Sequence, residues 1–208
     1  MMAYIKWTFR LVLLLLLGGC LHYTLPQRDI VRLVDTYEER QDFGGMFDIF
    51  WQNTGAATAD TPITRDVLFI QTVQPNGAPM VYRNQDTGWG WPPYFKFDTA
   101  NLQTEAADGV STAAAPEWYA VRHYGWRVTW LGDGIFPNAL SMQPVEGPDV
   151  RLIPWFNIIF LTVLALMLLT LWRTWRIFRD RRIDPVLEDL DESADAARGW
   201  FARLFGRR

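Results

Sequence analysis

Apolar and polar positions divide the chain into two long apolar stretches and a middle part in which the two classes alternate over short distances. Residues 154–172 carry no charge and are apolar on every side of a helix, with Asn157 as the one strongly polar position. A helix of about 20 such residues crosses the hydrocarbon core of a bilayer. Residues 7–25 form a second apolar stretch, centred on 11–17 and charged only at Arg10. The pattern therefore predicts two membrane-spanning helices.

The first stretch has three possible fates. Lys6 and Arg10 ahead of a short leucine-rich centre are also typical of a cleaved secretory signal, and Leu17-Gly18-Gly19-Cys20 resembles a lipoprotein signal in which Cys20 would be lipidated. An uncleaved anchor is favoured, because apolar residues extend the centre on both sides to the length of a span. All three alternatives place the residues that follow outside the membrane.

Positive charge orients both predicted spans. Lys6 and Arg10 precede the first span, and a dense arginine cluster follows the second. Because arginine and lysine accumulate on the cytoplasmic side, both termini are expected to be cytoplasmic. The expected domains are an anchor at 1–25, an external domain at 26–152, a second span at 153–173 and a cytoplasmic tail at 174–208. The residues predicted to lie at the membrane interface around the second span are Trp155, Trp172, Arg173, Arg176 and Arg179.

The external segment favours strands. Asn76-Gly77 between two β-branched and aromatic runs is typical of a tight hairpin. Residues 53–62 and 106–116 are rich in Ala, Gly, Thr and Pro and are expected to be loops. The fold class predicted is mainly β, a small antiparallel sandwich or barrel between two transmembrane helices, with a short helical tail. The expected strands are 30–34, 67–71, 80–82, 94–98, 118–124, 126–130 and 140–145.

The cytoplasmic tail ends in a second aromatic and basic pattern. Trp200, Phe201, Leu204 and Phe205 recur at helical spacing among arginines, which is typical of a short helix lying on an anionic lipid surface. Glycines at 199 and 206 weaken that helix, so a disordered tail is the alternative.

Composition excludes several function classes. The net charge of −3 provides no dominant basic face, so no nucleic-acid partner is expected. One cysteine and two histidines at unrelated positions predict no metal site and no cofactor. No nucleophile elbow, phosphate-binding glycine loop or metalloprotease motif occurs. His123, alternating with its neighbours on a predicted strand, is interpreted as a structural histidine, and no catalytic residue is predicted.

The most distinctive segment is 82–98, which contains Gly-Trp-Gly-Trp-Pro-Pro. Glycines free this backbone and prolines stiffen it, so Trp89, Trp91, Tyr94 and Phe95 would project in set directions. Three interpretations follow: a docking surface for a protein partner, a platform on which sugars stack, or rings that fill the core of a small domain. Trp89, Trp91, Tyr94 and Phe95 are the candidate interaction residues.

The same segment, with Leu21-His22-Tyr23-Thr24-Leu25-Pro26 and His123-Tyr124-Gly125-Trp126-Arg127, resembles an uncharacterised alphaproteobacterial family, domain of unknown function 1523. The resemblance implies a bacterial inner-membrane protein with a periplasmic domain, and it implies no activity. The function expected is a non-enzymatic accessory or scaffold protein for a membrane protein complex. The alternatives are an envelope module that binds cell-wall saccharide and, less supported, an envelope enzyme.

Overall fold

The structure, a computed structural model, describes residues 2–43, 63–128, 135–185 and Trp200. Within these ranges the chain forms two compact units that meet at residues 154 and 155. The first unit contains helix α1 (Met2–Thr24), five strands and helix α2 (Thr99–Asp108). The second contains helix α3 (Trp155–Phe178), which continues into a π-helical turn, Arg179–Ile183. The strands are β1 (Gln27–Phe43), β2 (Ile63–Val73), β3 (Pro79–Asn84), β4 (Trp118–Tyr124) and β5 (Asn138–Val145).

Two of these helices are long and apolar enough to cross a membrane: Tyr4–Thr24 and Trp155–Ile183. Neither buries its apolar window inside the protein. A helix that is apolar all round and not covered by protein is expected to be covered by lipid. The structure thus agrees with the two predicted membrane helices by length and composition.

The five strands close into a barrel in the order β1, β2, β3, β5, β4. Strand β1 is long enough to pair with two neighbours, with β4 along its first part and with β2 along the rest. All pairs are antiparallel except β3 with β5, which is parallel. This order, with a helix between β3 and β4, is that of the five-stranded Greek-key barrel called the OB-fold. The prediction of a small antiparallel sandwich or barrel is therefore confirmed in part: the strands form a barrel, but the sheet is mixed, because β3 and β5 are parallel.

That parallel junction closes the barrel through one side chain. Asn138 pairs with Arg83, and the backbone N–H of Arg83 donates to the carbonyl of Pro137 at 3.0 Å. The Asn138 amide then accepts from the N–H of Gln85 at 2.9 Å and donates to its carbonyl at 3.0 Å. The Asn138 side chain thus makes with Gln85 the two hydrogen bonds that a neighbouring strand backbone would make, at the point where the pairing of β3 with β5 ends.

The interior follows from alternation along the strands. In β1, Val31 and Leu33 are buried while the residues beside them face outward, as a period of two requires. The core adds buried residues from the other strands and two from α2. Its buried members are Val31, Leu33, Ile70, Tyr82, Leu102, Ala106, Val121, Ala139 and Met142.

Local predictions had mixed outcomes. The Asn-Gly hairpin is confirmed: Gly77 has φ 82° and its N–H donates to Gln74 at 2.9 Å. The predicted strand 94–98 was wrong, since this segment is irregular and Phe95 has a positive φ of 52°. The predicted loop 106–116 was wrong at its start, because α2 runs through Asp108. Its helix-forming residues bury Leu102 and Ala106, one turn apart.

Other predictions fall partly outside the described ranges. Of the predicted strand 126–130, Val128 makes an isolated bridge to Ile135, and 129–130 lie outside. The predicted loop 53–62 also lies outside. Of the tail residues predicted to contact lipid, Trp200 is described and exposed. Phe201, Leu204 and Phe205 lie outside the described residues.

Candidate functional site

The segment between β3 and α2, residues 85–98, is called here the aromatic loop. Thr87 organises its backbone from a fully buried position. The Thr87 hydroxyl accepts from the N–H of Lys96 at 3.0 Å, and its carbonyl accepts from Gly90 at 3.0 Å. The N–H of Gly88, at φ 51°, donates to the carbonyl of Lys96 at 3.2 Å. These bonds tie the two arms of the loop together, so it has a defined shape without being a strand.

Both ends of the aromatic loop are also fixed. Gln85 is held by the Asn138 amide at the barrel closure. Asp86 accepts from the N–H of Thr99 at 3.0 Å and from its hydroxyl at 2.6 Å, at the start of α2. A carboxylate that accepts backbone N–H bonds at a helix N-terminus stabilises the helix. The loop is therefore anchored to the barrel and to α2.

Four rings of this anchored loop face solvent and form the aromatic patch, defined as Trp89, Trp91, Phe95 and Phe97. Trp89 is 84% exposed and Trp91 is 70% exposed. Trp89 lies edge-on to Phe95, with ring centroids 5.1 Å apart, and to Phe97 at 6.4 Å. Three of the four candidate interaction residues, Trp89, Trp91 and Phe95, therefore lie on the surface and do not fill the core.

Tyr94, the fourth candidate, is placed differently. Its ring stacks on the buried ring of Tyr124 at 5.1 Å, and its hydroxyl donates to the carbonyl of Thr24, the last residue of α1. Burial raises the pKa of the Tyr94 hydroxyl, although Arg122 nearby acts in the opposite direction. Tyr94 thus joins the aromatic loop to the end of α1.

The end of α1 makes further contacts with the barrel. The N–H of Gly125 donates to the carbonyl of Tyr23 at 2.9 Å, and the Trp126 indole donates to His22 at 2.8 Å. The Tyr23 ring meets Tyr124 and Trp126 edge-on. Gly125 has φ 96°, and a Cβ there would lie 3.4 Å from the Pro137 backbone, so this close turn requires glycine. The first helix and the barrel therefore form one unit, with the aromatic loop beside their junction.

A buried lysine, Lys96, holds the aromatic loop against the barrel. The Lys96 ammonium donates to the side-chain oxygen of Asn84 and to the carbonyl of Ala139, the latter at 2.8 Å. Burial lowers its pKa to about 8, although the charges of Asp98 and Asp86 favour the protonated form.

Replacing Lys96 by methionine is expected to remove a pH dependence of stability. A folded-state pKa of about 8, below the ordinary 10.5, means that the unfolded chain holds this proton more tightly. The wild-type free energy of unfolding should therefore rise by about 2 kcal/mol relative to Lys96→Met between pH 8 and 10. Chemical denaturation of both full-length proteins across that range checks this. Both proteins contain the same tyrosines, so the effect of tyrosine titration cancels in the difference between them. If the free energy of unfolding changes equally with pH in both proteins, the prediction is contradicted.

A second polar group lies inside the barrel. His123 Nε2 is 3.1 Å from an oxygen of Asp29, and the Tyr82 hydroxyl donates to the same oxygen at 2.7 Å. Burial acts to raise the pKa of Asp29, but the contacts of His123 and Tyr82 outweigh it and lower that pKa. His123 is 3% exposed and Tyr82 is fully buried. The His123 and Tyr82 side chains are therefore closed to a substrate, whereas the Asp29 side chain is 29% exposed, and we interpret the contacts as stabilising the barrel.

Sequence reasoning placed no carboxylate beside His123 and did not predict that two cationic side chains, Arg83 and Lys96, are buried. Arg83 is fully buried and contacts the Tyr23 hydroxyl, and Lys96 lies beneath the aromatic loop. Position in the strand gave no usable signal, because alternation places Arg83 on the opposite face of β3 from the core residue Tyr82. In the described part of the chain, no three or more His, Cys, Asp or Glu side chains converge as a metal site would require.

Comparison with known proteins identifies the family. The family described as "Protein of unknown function (DUF1523)" matches residues 2–179, which include helices α1 and α3 and the whole barrel. The chain belongs to the DUF1523 family. An uncharacterized protein of Haemophilus influenzae is 32% identical over 181 residues, covering 84% of this chain and 97% of the relative. No solved structure matches the chain.

Proposed function

We propose that this DUF1523 protein is a non-enzymatic accessory or scaffold protein of the bacterial inner membrane, which presents its periplasmic barrel to a membrane protein complex. The observation that carries the proposal is the aromatic patch. Large rings exposed together on a fixed loop, rather than singly, are typical of interaction surfaces. Aromatic residues also dominate the binding energy of protein interfaces.

The loop's position favours a partner in the membrane. Tyr94 bonds the last residue of α1, so the patch begins within a few residues of the predicted outer end of the first span. The loop is already held by its own hydrogen bonds, so little conformational entropy is lost on docking. An integral membrane protein beside α1 could meet the patch and the helix together.

The alternatives have weaker support. A saccharide module would also use exposed tryptophans, but the rings of Trp89 and Phe95 meet edge-on and leave no broad parallel platform. An envelope enzyme would need an accessible reactive group, and His123 is sealed in the barrel. No cofactor is required by the proposal. Contact of the C-terminal residues 200–205 with anionic lipid at the cytoplasmic face stays a prediction.

Topology can be tested by cysteine labelling of intact cells. In a Cys20→Ser background, a cysteine at exposed Asn76 is expected to react with a membrane-impermeant maleimide. A cysteine at exposed Asp180 should react only after lysis, because it follows the second span on the cytoplasmic side. Labelling of both positions in intact cells, or of neither, would contradict the proposed orientation.

The proposed function is tested by affinity purification of the tagged full-length chain in mild detergent, followed by quantitative mass spectrometry. We expect a membrane protein to co-purify in near-stoichiometric amount. An extract in which the chain is recovered without any stoichiometric membrane partner, under conditions that keep other complexes intact, would argue against the scaffold role.

A further inference from the structure

Two arginines stand side by side on the outside of the barrel. Arg28 of β1 and Arg122 of β4 are direct partners in the antiparallel register. Their neighbours Asp29, Val121 and His123 turn inward, so both arginines lie on the outer face. Side chains directly opposite one another start about 5 Å apart, and like charges in that position are destabilising. The pair therefore calls for a compensating negative charge.

Among the described residues, that negative charge is not supplied by the protein. Within residues 2–43, 63–128 and 135–185, no carboxylate lies within ion-pair distance of either Arg28 or Arg122. Arg122 Nε is also buried and makes no hydrogen bond within the described part of the chain. Its guanidinium carbon lies 5.8 Å from the centre of the Tyr94 ring, which orients the group. A buried donor without an acceptor is costly, and it is satisfied if a ligand supplies the acceptor.

A ligand has room at this position. Arg122 and Ser141 line two clefts, one of about 400 Å³ and one of about 110 Å³, and the smaller one also contains Arg28. Ser141 is the register partner of Arg122 on β5, so its hydroxyl adds a donor beside the two guanidinium groups. The larger cleft includes one carboxylate, Asp98, whose charge acts on Lys96. The cleft edge at Arg28 and Arg122 thus presents donors and positive charge.

The pair also lies close to the predicted membrane surface. Arg28 follows the end of α1 by four residues, and the side chain of its neighbour Gln27 donates to the carbonyl of His22 at 3.0 Å. On the Arg122 side, Tyr94 bonds Thr24. Tyr4–Thr24 has the length of the hydrocarbon core, so residues just after Thr24 lie at the level of the headgroups.

We propose that Arg28, Arg122 and Ser141 form a binding site for a phosphate group, supplied either by the headgroup of a phospholipid in the outer leaflet or by free phosphate. Paired guanidinium groups match phosphate oxygens through several charge-assisted hydrogen bonds. The placement at the headgroups rests on the membrane topology proposed above. The larger cleft is also lined by Phe95 and Phe97, so the phosphate site adjoins the aromatic patch, although none of its three residues belongs to the patch.

The test is a binding measurement on the full-length chain in detergent micelles. Phosphatidylglycerol is titrated in one arm, glycerol 3-phosphate in a second and inorganic phosphate in a third, with binding followed by native mass spectrometry and calorimetry. We expect saturable binding of one phosphate-bearing ligand, weakened about 100-fold by Arg28→Gln with Arg122→Gln. Arg28→Lys with Arg122→Lys keeps the charge but loses the paired geometry, and should weaken binding about 10-fold.

Arg40→Gln with Arg65→Gln is the matched control, because it removes the same charge from the barrel away from the site. Binding of the lipid alone assigns the site to a headgroup, and equal binding of inorganic phosphate assigns it to free phosphate. The absence of saturable binding in every arm would overturn the proposal. So would a loss of affinity in the control variant equal to the loss in Arg28→Gln with Arg122→Gln.

Folding and partner capture are checked in the same preparations. Without ligand, Arg28→Gln with Arg122→Gln should melt no lower than the wild type, because a like-charge pair has been removed. If that variant unfolds, the binding affinity of Arg28→Lys with Arg122→Lys, compared with that of the wild type, decides the outcome. Partner capture should persist in the arginine variants and fail in variants of the aromatic patch, so failure of one proposal is distinguishable from failure of the other.

Discussion

Replacing Tyr124 by alanine is expected to lower the free energy of unfolding of the barrel by about 3–5 kcal/mol, the cost of removing a fully buried large aromatic side chain. Tyr124 is fully buried, stacks on Tyr94 and meets Tyr23 edge-on, so it touches the aromatic loop and the end of α1 together. Thermal unfolding followed by near-ultraviolet circular dichroism should show a melting temperature lowered by roughly 10–20 °C.

Tyr124→Phe is the control for this prediction. It keeps the ring and removes the bond that the Asn138 amide donates to the hydroxyl at 3.3 Å, with an expected cost of about 1 kcal/mol. A Tyr124→Ala protein as stable as Tyr124→Phe would contradict the view that this ring joins the helix, the barrel and the loop.

The second large effect concerns partner binding. Trp89→Ala with Trp91→Ala is expected to weaken capture of the membrane partner at least about 100-fold, because aromatic hot spots each contribute about 2 kcal/mol or more. Both rings are largely exposed, so the melting temperature should change little. Quantitative co-purification over a dilution series measures the first effect, and thermal unfolding measures the second.

Val34→Ala with Val110→Ala provides a matched control, since both side chains are exposed apolar groups outside the aromatic patch. This control should keep wild-type capture. A collapse of folding in the tryptophan variant would show that the rings support the core, and unchanged capture would remove the patch from the interface.

The sequence predicted features that depend on local pattern. The two spans follow from uninterrupted apolar length, and the hairpin at Gly77 from a dipeptide that suits a positive φ. Strand β4 was predicted over its full length, Trp118–Tyr124, and β1 only at residues 30–34 of Gln27–Phe43, because β-branched and aromatic residues favour strands. Such signals need no knowledge of distant residues.

Features that depend on distant residues were missed. Residues 94–98 alternate as a strand would, yet Tyr94 is drawn to Thr24 and Lys96 to the barrel interior, which bends the segment out of a sheet. The parallel closure depends on the Asn138 amide meeting Gln85, more than 50 residues away. The pairing of Arg28 with Arg122 likewise appears only once the register of β1 and β4 is known.

The central claim is that the aromatic patch touches a membrane protein partner in the cell. Site-specific photo-crosslinking tests it most directly, with a photoreactive phenylalanine derivative placed at Trp89 in one strain and at exposed Asn76, on the β2–β3 hairpin, in another. We expect one discrete crosslinked product from position 89, containing an integral membrane protein, and none from position 76. The absence of any product from position 89, or the same products from both positions, would contradict it.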